Sequence, residues 1–319
     1  MGGRVSPVKT YITGASGKLG RHVLKFVDAV PLVRGKKGLP GEVVTDFSAE
    51  SLRKILKDAD CIIHLAGSMR FWDEKEMRRT NVGLTKSMVD NSPEGCKIVL
   101  ASSISVYGKR LREMPADEAT HTHPDSAYSW SKMEAEEIVR GKKGRHAILR
   151  IGTIYGPGFE DYYNILKMLE KGKMFVIGDG KNHVPFVHVE DAAKAVAAAV
   201  ENGQGTYVVC GESKTQEEIY SIACRELGVA PPKKHVSFWM ANLLGRLGEL
   251  GALIGKKPKL TREHMSILGG DRAFKWERAR EELGFRPRGI DEGVKEMVKE
   301  YKKDRMAKVP VLRSSSPRR

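Results

Sequence analysis

Tyr128 and Lys132 stand four residues apart in "YSWSK". On a helix that spacing puts them one turn apart on a single face. A tyrosine hydroxyl, with an ordinary pKa near ~10, exchanges protons poorly at neutral pH. An ammonium beside it favours the phenolate and is expected to lower that pKa. Ser102 and Ser103 close the apolar run "KIVLASS", 25 residues before Tyr128. A hydroxyl at the carboxyl end of a buried strand can hold a substrate oxygen and turn it towards Tyr128. Tyr-x-x-x-Lys by itself describes many surface pairs; the serine strand upstream gives it weight.

A second cluster lies near the start, in "TYITGASGKLGRHVL". Gly14, Gly17 and Gly20 sit between an apolar strand and a helical run. Glycines there permit positive φ and close approach of the backbone to a ligand. The helix start then offers unpaired N–H groups to an anion such as a pyrophosphate. The order strand, loop, helix is the one a dinucleotide fold requires. The next apolar run, "AVPLVR", ends on Arg34 with Lys36 and Lys37 behind it, and no carboxylate stands at that point. A cation there suits the 2′-phosphate of NADP better than the bare ribose of NAD.

These residues need a scaffold. Apolar runs at 8–13, 29–34, 61–67, 97–103, 145–152 and 206–211 alternate with helical patterns at 18–27, 49–59, 74–92, 128–141 and 189–203. Alternation of this kind predicts βαβ units and a parallel sheet covered on both faces. The expected fold is α/β, a Rossmann-type doubly wound parallel sheet with a smaller, mostly helical C-terminal substrate lobe. Residues 1–152 and 186–211 are assigned to the NAD(P)-binding domain. Residues 153–185 and 212–306 go to the lobe, and 307–319, rich in Ser, Pro and Arg, to a disordered tail. Thr215 and Glu218 have capping-box spacing before a helix at 214–228. The run 238–254 carries an apolar face at Trp239, Leu243, Leu247, Leu250 and Ile254.

The loop "TGASGKLG" resembles the T-G-x-x-G-x-x-G loop of the extended short-chain dehydrogenases/reductases, the NAD(P)-dependent epimerase/dehydratase family. "SSISVYG", "YSWSK", "LRIGTIYGPG", "VPFVHVEDAAKAV" and "ELGFRPRGIDEGVKEMVKEY" continue the likeness over nearly the whole chain. In the family's serine motif the active hydroxyl lies three residues before the valine, which selects Ser103 over Ser102. The resemblance implies a catalytic set of Ser103, Tyr128 and Lys132, with Lys132 also holding the nicotinamide ribose. It implies a cofactor site of Gly14, Ser16, Gly17, Lys18, Leu19 and Gly20, with Arg34 at the ribose. Asp46 and Phe47 would meet adenine, "HLAG" would bring Leu65, Ala66 and Gly67 beneath the cofactor, and Asn81 would steady the sheet. Asp46 could equally serve only as a turn cap. The implied reaction is hydride transfer at a hydroxyl- or carbonyl-bearing carbon, by a homodimer.

Members acting on nucleotide-sugars carry an asparagine where this chain has Thr153, and an arginine where it has Val184. His183 or Lys181 could compensate, without a bidentate fork. The Asp-Glu dyad of the dehydratases is replaced by Ile104 and Ser105. "HLAGSMRFWDEKEMRRTNVGLTKSMVD" looks more like the subgroup acting on apolar alcohols and ketones. A reductase or dehydrogenase is therefore expected. A nucleotide-sugar 4-epimerase with tightly bound NAD(P) is the alternative, and a catalytically inactive regulatory protein a lesser one. The 238–254 run could line an apolar pocket, pack the lobe, or rest on a membrane surface, where a basic chain would suit it.

The chain has 319 residues and a net charge of +15. The basic residues are scattered and no nucleic-acid module is legible, so a solvated basic surface attracting small anions is the reading. Four widely spaced cysteines offer neither a metal set nor a redox pair. No apolar run is long enough to span a membrane. The start lacks the apolar core of a signal peptide, and a cytoplasmic protein is expected.

Overall fold

The computed structural model describes residues 8–250 and 261–307. The N-terminal half runs β1 (Thr10–Thr13), α1 (Lys18–Val23), β2 (Val30–Val33), β3 (Val43–Val44), α2 (Ala49–Ile55) and β4 (Cys61–His64). Then come α3 (Glu74–Met77), a π-helical turn (Arg78–Gly83), α4 (Leu84–Asp90), β5 (Lys97–Ser103), a 3₁₀ turn (Ile104–Tyr107), α5 (Ala127–Gly141) and β6 (His146–Ile151). The rest is β7 (Thr153–Tyr155), α6 (Glu160–Glu170), β8 (Val176–Ile177), β9 (His183–Val184), β10 (Phe186–His188), α7 (Val189–Glu201), β11 (Gly205–Val209), β12 (Lys214–Thr215), α8 (Gln216–Leu227), β13 (His235–Val236), α9 (Phe238–Leu250), α10 (Arg262–Gly269), α11 (Glu277–Leu283) and α12 (Ile290–Ala307).

Seven parallel strands form one sheet in the order β11-β6-β5-β4-β1-β2-β3. The order reverses between β1 and β4, so their carboxyl ends open a crevice, the usual place for a ligand in an open α/β sheet. Strand periodicity sorts the core into two layers. Ile12, Ile63, Val99 and Leu149 face α1 and α7 with Val23, Ala192 and Val196. Tyr11, Ile62, Ile98 and Ile148 face the other way, against Leu52, Met88 and Val139. Each fully buried Val, Leu, Ile or Met among them contributes about 1.5–3 kcal/mol by leaving water.

The helical lobe has its own core, with Leu166, Leu169, Tyr220, Val294 and Met297. Thr215 and Glu218 form the anticipated capping box, and α8 ends at Gly228 in the left-handed region. The Arg288 guanidinium joins Asp191 (3.0 Å) and Glu190 (3.0 Å) of α7 to Glu296 (2.7 Å) of α12.

Several expectations are corrected. The helix read over 74–92 is broken by the π-turn. Helices at 160–170, 262–269 and 277–283 were not anticipated. Trp239, Leu243 and Leu247 do not pack the lobe: they stand on the outside of α9, 73%, 41% and 56% exposed. The Leu250 side chain, Ile254 and the 308–319 part of the tail lie outside the described residues. All four cysteines are buried free thiols.

Candidate active site

The glycine loop holds its shape by packing on itself. Gly14 has φ +72°, and a Cβ there would stand 2.7 Å from the Ala66 backbone nitrogen. A Cβ on Gly20 would overlap the Gly14 carbonyl oxygen and lie 2.6 Å from Ala15 Cα. The Gly17 amide donates to the Gly14 carbonyl at 3.0 Å. Gly17 starts α1 in an extended conformation with no side-chain cap, and no acidic residue occupies the first turn. The first-turn amides are therefore open to an anion. Ser16 and Lys18 lie in this turn, and Leu19 packs inward on the core. The Lys18 ammonium stands 4.4 Å from the ring centre of Phe159, at the start of α6.

The end of β4 lies directly beneath. Thr13 and His64 face each other across β1 and β4, with Thr13 Oγ1 2.7 Å from His64 Nδ1 and Thr85 Oγ1 2.9 Å from Nε2. Burial pushes the imidazole down to about 3, so it is neutral. The Leu65 amide donates to the Thr13 carbonyl (3.2 Å) and the Ala66 amide to Thr13 Oγ1 (3.3 Å). Asn81, buried in the π-turn, accepts from the Ser68 amide at 2.7 Å and donates to Ser131 Oγ of α5 at 2.9 Å. A π-turn is costly and marks a local demand; here it aims Asn81 at the loop that follows β4. A Cβ on Gly67 would lie 3.2 Å from Asn81 Oδ1 and 3.5 Å from Lys132 Nζ. Glycine loop, "HLAG" and Lys132 thus share one crevice.

Ser103 ends β5 and Tyr128 begins α5, whose start is fixed by a Ser126–Ser129 capping box. Ser103 stands beside Tyr128, close enough to oppose the rise of its pKa, and Ser103 Oγ accepts from the Ser105 amide at 3.2 Å. Phe71 packs edge-on against the Tyr128 ring at 5.5 Å. Lys132, one turn along α5, donates to the Ala101 carbonyl at 2.7 Å. Ser102 points the other way: its hydroxyl donates to Glu136 Oε1 at 2.5 Å, within a buried pair of Glu136 and Arg150 that the exposed Arg140 joins from outside.

The protonation states differ from the sequence expectation. Burial pushes the Tyr128 phenol up to about 12; the neighbouring Ser103 hydroxyl opposes this and the charge of Glu263 adds to it. Burial lowers the Lys132 ammonium to about 8. Desolvation outweighs the expected pull of the ammonium, which is turned onto a backbone carbonyl. Tyr128 is thus a protonated phenol at neutral pH.

Arg34 is exposed at the end of β2, its guanidinium 5.9 Å from the Phe47 ring centre. Phe47 has φ +60°, a strained choice for an aromatic residue. Asp46 accepts from the Ser48 amide at 2.9 Å, and Ser48 caps α2. The structure thus gives Asp46 its turn role. Sequence reasoning missed Glu42, whose carboxylate accepts from the amides of Lys37 (2.9 Å), Gly38 (3.2 Å) and Leu39 (3.1 Å). These amides, with the nearby charge of Lys36, hold the carboxyl below its usual range. It shapes the basic loop beyond Arg34 from eight residues away, and no short-range pattern signals that.

From the lobe, Glu263 of α10 takes a hydrogen bond from Ser126 Oγ (3.3 Å) and an ion pair from Lys109 (2.9 Å). No spacing in the sequence pointed to it. His183 is committed to Asp271 at 2.9 Å, and Val184 is buried in the lobe core.

Residues 10–211 match the model of the NAD dependent epimerase/dehydratase family. The chain belongs to that family. This is the extended short-chain dehydrogenase/reductase group expected from the motifs. The chain is 27% identical to short-chain dehydrogenase/reductase family 42E member 1 of Macaca fascicularis, over 87% of this chain and 80% of that one. It is 26% identical to the decarboxylating sterol-4-alpha-carboxylate 3-dehydrogenase of Bos taurus, over 91% of each. Among solved structures it shares its fold with UDP-glucuronic acid 4-epimerase from Bacillus cereus, bound there to UDP-glucuronic acid and NAD. The TM-score is 0.71 at 19% identity, covering 92% of this chain and 99% of that one.

A dinucleotide of the family fits the residues present. The uncapped amides of α1 and the side-chain-free surface of the glycine loop suit a pyrophosphate. Lys132 beside Gly67 offers an ammonium at the inner end of the crevice, and Arg34 with Phe47 offers a cation and a ring at the outer end. Among the described residues no group of His, Cys, Asp and Glu could hold a metal ion.

Proposed function

We propose that this protein is an NAD(P)-dependent oxidoreductase acting on an apolar alcohol or ketone. The observation that carries this reading is the juxtaposition of Ser103, at the end of β5, with Tyr128 and Lys132 one turn apart on α5, at the carboxyl edge of the sheet. The bound nicotinamide supplies or accepts the hydride. In the direction of reduction Tyr128 gives its phenolic proton to the substrate oxygen as charge develops on it. Ser103 donates a hydrogen bond to the same oxygen and fixes its direction. Lys132 holds the ribose hydroxyls, and its ammonium stabilises the phenolate that Tyr128 becomes. Arg34 favours NADP.

Two features support an apolar substrate over a nucleotide-sugar. Val184 is buried where a diphosphate-gripping arginine would stand, and His183 already serves Asp271. One relative is named for dehydrogenation of a sterol carboxylate. Replacing Tyr128 by Phe tests the proposal on a panel of apolar ketones with NADPH. The variant should bind NADPH as the wild type does and lose about 10²–10⁴ of turnover, the range for a removed general acid. Wild-type turnover in that variant would sink the assignment.

A further inference from the structure

Helix α9 reverses the usual arrangement of a surface helix. An amphipathic helix buries its large apolar residues and shows its polar ones. In α9 the fully buried positions are Ala241 and Gly245, the small ones. Ala241 joins Ile177 and Met265 in a minor core, and a Cβ on Gly245 would stand 2.7 Å from the Arg262 amide. Small residues let α9 lie close on α10. Most of the large residues face water: Trp239, Leu247, Met240, Leu243 and Leu244 are all at least 40% exposed, while the Phe238 ring packs on Gly269 of α10.

We propose that this outer face of α9 docks on the surface of an anionic lipid bilayer. The reading does not depend on the chemistry proposed above. Large apolar side chains clustered on a surface mark an interaction site. The helix has 13 residues, too few for the ~20 that cross a bilayer, and no described helix is long and apolar enough to do so. An in-plane helix needs only one apolar side. Charge favours anionic lipid. The chain carries +15 overall, Arg246 is exposed on α9, and Lys233 and Lys234 are exposed in the segment that leads into it. The acidic Glu249 is neutralised by Arg262 at 2.8 Å. A second copy of the chain fits less well. A helix strip roughly 20 Å long and 10 Å wide falls far short of the about 800 Å² per partner of a stable interface. The face is also tied to the catalytic helix, because α10 carries Glu263, which bonds Ser126 at the start of α5. A bilayer held on α9 would therefore lie one helix layer from that contact.

The test uses the full chain without substrate or cofactor. Wild-type protein is sedimented with vesicles of phosphatidylcholine alone and with about one-third phosphatidylserine. It should pellet with the anionic vesicles, and brominated lipid should quench more tryptophan emission than in Trp239→Phe. Trp239→Ser/Leu243→Ser/Leu247→Ser should weaken binding at least about tenfold while keeping its melting curve. Lys233→Gln/Lys234→Gln/Arg246→Gln should lose the preference for anionic lipid. The proposal fails if the wild type stays in the supernatant, if Trp239→Phe is quenched as strongly, or if the triple serine variant pellets unchanged. It fails equally if that variant instead dissociates a dimer. Because no turnover is measured, these outcomes stand apart from the fate of the redox assignment.

Discussion

Gly20→Ala is a one-carbon change whose effect can be worked from the loop itself. The new Cβ would overlap the Gly14 carbonyl oxygen and lie 2.6 Å from Ala15 Cα and 2.8 Å from Ala15 O. All three are backbone atoms, so no rotamer change relieves the contact. An ordinary carbon–carbon contact needs about 3.5–4.0 Å, so α1 must move about 1 Å from the loop. Overpacking of this kind costs about 1–3 kcal/mol. The shift also carries the first-turn amides away from where an anion would sit. Gly35→Ala is the matched control, since a Cβ there meets nothing within 4 Å. Titration of NADPH by fluorescence, with thermal melts of the free proteins, reads both effects. Gly20→Ala should bind at least about tenfold more weakly, as a 1 Å misplacement of a binding group implies, and melt earlier; Gly35→Ala should match the wild type. If Gly20→Ala binds NADPH with wild-type affinity, the loop is not a phosphate cradle.

Other expectations concern neighbouring groups. Ser102→Ala should cost about 1–3 kcal/mol of stability by removing a buried bond to the carboxylate of Glu136 and keep turnover, whereas Ser103→Ala should lose about 10²-fold in turnover; urea melts and kinetics on both variants check the contrast. Arg34→Ala should raise the dissociation constant for NADP about tenfold or more and leave that for NAD unchanged, read by parallel titrations. His64 has its folded pKa pushed down to about 3 from 6.5, so the unfolded chain takes up a proton the native state refuses as pH falls below 6.5. Stability should therefore drop by about 2 kcal/mol between pH 7 and pH 5 through this group, and His64→Gln should flatten that slope in urea melts. An equal slope in the variant would remove His64 from the explanation.

The sheet was legible because its strands are buried on both faces and read as short apolar runs; the run at 97–103 matches β5 residue for residue. The placement of Ser103 at a strand end and of Tyr128 and Lys132 one turn apart on a helix was legible because it obeys local periodicities. What escaped depends on distant partners. The π-turn keeps a helical hydrophobic pattern, and only the reach of Asn81 to Ser68 and Ser131 reveals it. The short strand pairs 153–155 with 186–188 and 183–184 with 214–215 are too brief to leave a period. The rise in the Tyr128 pKa comes from burial beneath Phe71 and from Glu263, 135 residues away. The face of α9 misled because apolar spacing tells which residues share a side, not whether that side meets the core.

The π-turn at 78–83 also bears on which changes in chain length the protein can accept. Such a turn is an α-helix with one residue too many. Deleting one residue there would let the segment rewind into a regular helix and swing Asn81 by about 100°, the rotation per residue of an α-helix. Its grip on Ser68 would go, although no functional group had been substituted and helix content would rise. A change of chain length would thus be felt sharply even inside a helix, at this turn.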